Sequence, residues 1–187
     1  MRKLLNEELA RLNADEFKTS DKAPVVLLLD NVRSHLNVGS IFRTADAFRL
    51  EAIYLCGITG CPPHRDIHKT ALGATETVVW KHFVSAMEAL VLLREEGYTI
   101  VAVEQAERAV MLHEFVAQGD RKYVFVFGNE VDGVGQELVS SSDMVLEIPQ
   151  WGTKHSLNVA VSVGVVVWEA MKQLTAGSSP LTGNRQL

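Results

Sequence analysis

Six short apolar runs, each followed by a polar or glycine-bearing stretch, constrain this chain more than any other feature. Val25 to Leu29, Ala52 to Leu55, the neighbourhood of Val78–Trp80, Thr99 to Val103, Tyr123 to Phe127 and Met144 to Ile148 are too short for ordinary helices. They are rich in β-branched and aromatic residues, which is the pattern of strands buried on both faces of a parallel sheet. Helical patterns lie between most of them. The expected class is therefore α/β, a mostly parallel sheet flanked by helices.

The helical segments are read from apolar spacing. Residues 2–17 read as one amphipathic helix carrying Leu4, Leu5, Leu9 and Leu12, which makes residues 1–22 a helical extension before the domain of residues 23–174. Asp30 to Gly39 reads as a polar loop, and a helix follows with Ile41, Ala45 and Phe48 on one face. Val110 to Val116 reads as a helical turn, Val84 to Glu96 and Gln136 to Ser142 as helices, and residues 175–187 as a flexible tail rich in Gly, Ser and Pro. One segment is in conflict with itself. Val159, Val161, Val163, Val165 and Val167 alternate strictly, which votes for a strand, although such a strand would be long for the usual ~3–10 residues.

Composition narrows the function classes. Leu157 to Trp168, the longest uncharged apolar stretch, is shorter than the ~20 residues a bilayer span needs, and no signal-peptide core opens the chain. No membrane partner is expected, and cytoplasm is the expected compartment. Cys56 and Cys61 are too few for a disulfide framework or a structural zinc site, and no histidine spacing suggests a metal. A net charge of −5 argues against an indiscriminate polyanion binder. Yet Arg33, His35, His64, Arg65, His68, Lys69, Lys154 and His155 gather in or beside loops, and a local basic patch can steer RNA on an acidic body.

Three loops follow strand-like runs: DNVRSHLNVGSIFR, GNEVDGVG and PQWGTKHSLN. Each combines Asn, Arg or Ser with glycines that allow close backbone approach. The second is no Walker A loop, because the Lys-Ser/Thr pair is missing, and it is not GxGxxG. Together, Asn37-Val38-Gly39-Ser40-Ile41-Phe42-Arg43-Thr44-Ala45, Phe127-Gly128-Asn129-Glu130 through Gly133, and Ile148-Pro149, Gly152 and Ser156-Leu157-Asn158-Val159 resemble the three motifs of the SpoU/TrmH family of SPOUT-class RNA methyltransferases. Thr70-Ala71-Leu72-Gly73-Ala74 resembles a further family feature, and the resemblance spans Val25 to Lys172. Gln150 stands where the family usually has Met, and Ala160 where Ser is common. Only a short helical segment precedes the sheet, where many relatives carry an RNA-binding domain.

The resemblance implies a SPOUT fold with a C-terminal trefoil knot, a homodimer, S-adenosyl-L-methionine as cofactor, and methylation of a ribose 2′-hydroxyl in tRNA or, second, rRNA. It also implies that the segment after Asn158 is a helix. Arg43, Asn37, Ser156 and Asn158 are the expected catalytic group. Val103, Glu104, Gly128, Asn129, Glu130, Ile148, Gln150 and Leu157 are the expected cofactor contacts, several of them through backbone groups. Arg33, His35, Arg65, Lys69, Lys154 and His155 are the expected RNA contacts.

Each residue also has a plainer reading. A guanidinium is an awkward base, so either a contacting phosphate and the site reshape the proton balance of Arg43 or its task is to hold a phosphate bidentately, and it could simply pair with Asp46 one turn on. Asn37 could cap the helix that carries Arg43, Ser156 or Asn158 could cap the last helix, and Glu130 could be structural. An RNA-binding module that retains the fold without activity, and a flavodoxin-like nucleotide binder, are the competing functions.

Overall fold

Every strand of the sheet runs in the same direction. The computed structural model describes residues 1–9 and 11–175; the expected tail, apart from Thr175, lies outside the described residues. The strands are β1 (Ala23–Asp30), β2 (Leu50–Cys56), β3 (Trp80–Phe83), β4 (Tyr98–Val103), β5 (Val110–Met111), β6 (Lys122–Phe127) and β7 (Met144–Glu147). They form one sheet in the order β3-β2-β1-β6-β4-β7-β5, with each neighbouring pair parallel. The class expected from the apolar runs is the one found. The last strand in sequence, β7, lies inside the sheet, between β4 and β5.

Alternation along β1 divides the core into two layers. Val25, Leu27 and Leu29 join the cluster formed with α2 (His35–Ala47), α3 (Arg65–Ala71) and α6 (Val159–Thr175). Val26 and Leu28 point the other way, toward α4 (Ala86–Glu95) and α5 (Gln136–Ser140). Successive strand side chains leave opposite faces, so a run with no polar residue must be covered on both.

Several boundaries differ from the sequence reading. The single helix expected over residues 2–17 is instead a 3-10 turn at Asn6–Leu9 and a short helix α1 (Ala14–Thr19), which Asn13 and Glu16 start with a capping box. The Asp30–Gly39 loop is shorter than expected. Ser34 accepts a hydrogen bond from the Asn37 N–H, so α2 begins at His35 and takes Asn37 into its first turn. Asn37 is therefore not the cap. The helical turn expected at Val110–Val116 is the two-residue β5 followed by a 3-10 turn at Leu112–Glu114. The strand near Val78 is shifted to Trp80–Phe83.

The valine-rich segment is a helix, as the resemblance implied and its alternation did not. Val159, Val163, Val166, Val167 and Ala170 are buried at helical spacing. Val161, Val165 and Trp168 fill the intervening positions and form an exposed apolar stripe. No helix among the described residues is long and apolar enough to cross a membrane.

Candidate active site

With all strands parallel, their carboxyl ends open on one edge, where ligand sites form in open α/β sheets. A cleft of about 490 Å³ lies there, between the ends of β4, β6 and β7 and the start of α6. That volume is in the ordinary range for a cofactor-sized ligand. Val103, Glu104, Gly128, Asn129, Glu130, Ile148, Gln150 and Leu157 all line it, as do Ser156, Asn158 and His155. Gln105, Asp132 and Ser162 also line it and were not anticipated. Gln105 could have been found, since it follows closely on a strand end.

The loop after β6 is folded by its own side chains. Asn129 Oδ1 accepts from the N–H groups of Val131 and Asp132, each at 2.9 Å, while Asn129 and Gly133 exchange backbone hydrogen bonds. A Cβ on Gly128 would stand 1.9 Å from the Gly133 carbonyl, so only glycine lets the loop double back there. Glu104 secures the far end: its carboxylate accepts from the Val134 and Gln105 N–H groups, both at 2.8 Å. Gln105 in turn donates to the His155 carbonyl at 2.9 Å. Glu104, Gln105 and Asn129 thus hold the cleft walls.

The backbone groups of Gly128, Ile148 and Leu157 make no hydrogen bond among the described residues. A cleft rimmed by unpaired N–H and C=O groups is suited to a ligand that carries its own donors and acceptors.

A chain of polar contacts closes one rim. Arg33 N–H and Ser34 N–H donate to the Glu130 carboxylate at 3.2 and 3.3 Å. Asn37 Nδ2 donates to the same group at 3.0 Å, and Asn158 Nδ2 donates to Asn37 Oδ1 at 3.1 Å. Asn158 Oδ1 accepts from the Ala160 N–H at 2.9 Å and so caps α6. Partial burial pushes the Glu130 carboxyl up, but its own backbone N–H, the Arg33 N–H, the Asn37 amide and the Ser34 N–H together hold it below the usual carboxylate range. Glu130 is ionised at neutral pH and ties the ends of β1 and β6 together. Ser156 makes no hydrogen bond among the described residues, which leaves its hydroxyl free at the cleft.

Arg43 is elsewhere. It lies six residues after Asn37 on α2, a rise of about 9 Å and a turn of about 240°. It lines a second depression of about 450 Å³ with Ser40, Thr44, Lys69, Thr70 and Leu72. The expected alternative partner, Asp46, instead accepts from Thr77 Oγ1 at 2.6 Å. Arg43 has no hydrogen bond or ion pair among the described residues and stays exposed. Arg33 in the loop after β1, Arg65 and Lys69 on α3, and Lys154 and His155 in the loop after β7 are exposed.

The chain is similar to known RNA methyltransferases. The sequence model of the SpoU rRNA methylase family matches residues 24–168. A 23S rRNA (guanosine-2′-O-)-methyltransferase from Neisseria meningitidis serogroup B is 30% identical over 85% of this chain, which spans 62% of that protein's length. A tRNA (guanosine(18)-2′-O)-methyltransferase from Thermus thermophilus is 30% identical over 91% of this chain and 86% of its own. The crystal structure of an AdoMet-bound rRNA methyltransferase from Sinorhizobium meliloti superposes with a TM-score of 0.76 at 28% identity, covering 82% of this chain and 58% of that one. With its motifs lining one cleft and its family match running from the first strand into the last helix, the chain belongs to the SpoU rRNA methylase family.

Proposed function

We propose that this chain is an S-adenosyl-L-methionine-dependent methyltransferase acting on a ribose 2′-hydroxyl of structured RNA, tRNA in preference to rRNA. The observation that carries the reading is the cleft, where unpaired backbone groups of Gly128, Ile148 and Leu157 adjoin the Asn37–Asn158 amide pair. A cofactor held mainly by backbone can be gripped without a charged side chain opposing its sulfonium. Bound there, it supplies an activated methyl group with its leaving group built in. What remains for the protein is to align the hydroxyl oxygen with that methyl group, which in model systems is worth up to ~7–11 kcal/mol, and to let the hydroxyl proton pass to water at the open cleft. On this reading Asn37, Asn158 and Ser156 orient the ribose, while the planar fork of Arg43 anchors the adjoining phosphate.

Arg43 does not line the cleft of its own chain, so the reading requires a homodimer in which Arg43 of one subunit serves the cleft of the other. The exposed stripe of Val161, Val165 and Trp168 on α6 supports such a contact, and Ala160 and Gly164 leave room for close helix approach. Insertion of β7 between β4 and β5 before α6 supports a knotted C-terminal segment. Preference for tRNA is supported by the Thermus relative, matched over 86% of its length against 62% for the rRNA enzyme.

The test has two readouts. S-adenosylmethionine or its demethylated product should raise the melting temperature, since a hundredfold excess over Kd adds ~2.7 kcal/mol, whereas ATP, NAD and FMN should not. Incubation with unmodified tRNA should then leave one gap in an alkaline ladder, because cleavage needs a free 2′-hydroxyl. Absence of both effects removes the reading; a thermal shift without any gap favours the RNA-binding module that retains the fold.

A further inference from the structure

Outside the cleft and the Arg43 depression lies a stacked pair of histidine rings. The His35 and His64 rings lie face to face, centroids 3.7 Å apart and planes 9° from parallel. His35 opens α2, and His64 immediately precedes α3, so two loops meet at this stack. The geometry is built from both sides. A Cβ on Gly60 would lie 2.3 Å from His35 Cδ2, so the loop after β2 lets that ring settle against its backbone only because residue 60 is glycine. His64 Nδ1 accepts from the Asp66 N–H at 3.2 Å, which caps α3 and fixes the outer ring. His64 nonetheless stays exposed.

We propose that the His64 ring, backed by His35, is a stacking platform for an unpaired nucleobase beside the ribose that is methylated. The inference rests on the reading that the substrate is RNA. Proteins recognise RNA largely by splaying bases out onto aromatic faces, histidine among them. A ring already immobilised by a cap and a second ring loses little freedom when a base lands on it. Its position fits this role, because His35 is two residues before Asn37, and the N–H groups of Arg33 and Ser34 are bound to Glu130 on the cleft rim. Arg33, next to Ser34, and Arg65 and Lys69 on α3 are exposed and form no ion pair among the described residues, with Asp66 and Glu130 the acids beside them. Those cations suit the flanking phosphates.

Capping alone would not require a ring. Asn is among the best capping residues and accepts the same backbone N–H, so His64→Asn removes the aromatic face while keeping the cap. His64→Phe does the reverse. The probe is unmodified bulk tRNA, with binding measured by fluorescence anisotropy and methyl transfer by KM and kcat. Base–aromatic stacking is strong enough that His64→Asn should weaken binding between about five- and a hundredfold. KM should rise with kcat little changed, and the cofactor-induced thermal shift should stay as in wild type. The slope of log affinity against log salt should not change, because no phosphate contact is lost. His64→Phe should recover most of the affinity despite its weaker cap.

Wild-type affinity in His64→Asn, or equal weakness in His64→Asn and His64→Phe, overturns the platform while leaving the methyltransferase reading intact. A wild-type protein that neither binds tRNA nor responds to the cofactor overturns both.

Discussion

Asn158 donates its side-chain amide to Asn37 across 121 residues of chain, joining the start of the last helix to the first turn of α2. The same Asn158 side chain caps α6 through Oδ1, so its amide nitrogen and oxygen serve two different partners. Asn158→Asp separates them. A carboxylate still accepts from the Ala160 N–H at a helix N-terminus, but it has no proton to give Asn37. The expected outcome is a stability, measured by urea unfolding, within about 0.5 kcal/mol of wild type, because the cap is retained. Methyl transfer should fall at least tenfold. Asn158→Ala loses both ends and should cost about 1 kcal/mol of stability as well.

Glu130 gives the site a predictable response to acid. Its carboxyl is held below the ordinary range by four hydrogen-bonding groups that outweigh its burial. A depressed folded pKa contributes stability above the unfolded value of ~4.3 and loses it as pH falls through the folded pKa. Glu130→Gln lacks this contribution at every pH. Wild type should therefore have the higher urea midpoint at neutral pH, and the gap should close as pH drops below about 4. A gap that widens on acidification would mean that Glu130 is not the anionic tie between α2 and the loop after β6.

The inner strands were legible because each carries an apolar run that must be covered on both faces, whereas β3, with Lys81 and His82 exposed, and the two-residue β5 carry no such run. The start of α2 was not, because His35 and Asn37 look like loop residues until Ser34 is recognised as the cap. In α6 the period itself was misleading. The positions that helical burial leaves outside hold Val161 and Val165 instead of polar residues, so buried and exposed valines together read as alternation. The loops that line the cleft were legible as polar stretches after strand-like runs, and the individual residues in them came from the family resemblance. The separation of Arg43 from them was not, since motif proximity conceals a turn of about 240° around α2. His64 carries no sequence signal for stacking; only the fold brings it onto His35.

The valines that blurred the helix period also provide a test of assembly. Val161 is about half exposed on α6, so a charge there need not disturb the core of the single chain. Val161→Glu should keep the melting transition cooperative but leave a monomer by light scattering at micromolar concentration. Methyl transfer should be lost with the dimer. A dimer that persists, fully active, would place the interface on another surface.

Arg43→Ala should divide the donor side of the site from the RNA side. The guanidinium lines a depression with Lys69 and makes no contact with the cleft of its own chain. The cleft proposed for the cofactor is lined by the loops after β4, β6 and β7, which a change at Arg43 does not touch. Arg43 is exposed and unpaired among the described residues, so its removal breaks no hydrogen bond that supports α2. Arg43→Ala should thus retain the wild-type melting temperature and bind S-adenosylmethionine within a few-fold of wild type. What it lacks is the bidentate hold on a phosphate next to the reacting ribose, a contact that fixes geometry as well as charge. Misplacement of about 1 Å at a reacting centre can cost a hundredfold, so the gap in the alkaline ladder of tRNA should vanish. Arg43→Lys should restore little, since an ammonium supplies the charge without the planar fork. Mixing Arg43→Ala subunits with Asn158→Asp subunits gives the sharper result. If each cleft draws on the arginine of the other chain, the mixed dimer contains one wild-type cleft facing one wild-type Arg43, and activity should return. If no activity returns although mixed dimers form, Arg43 works within its own chain and the shared site is wrong.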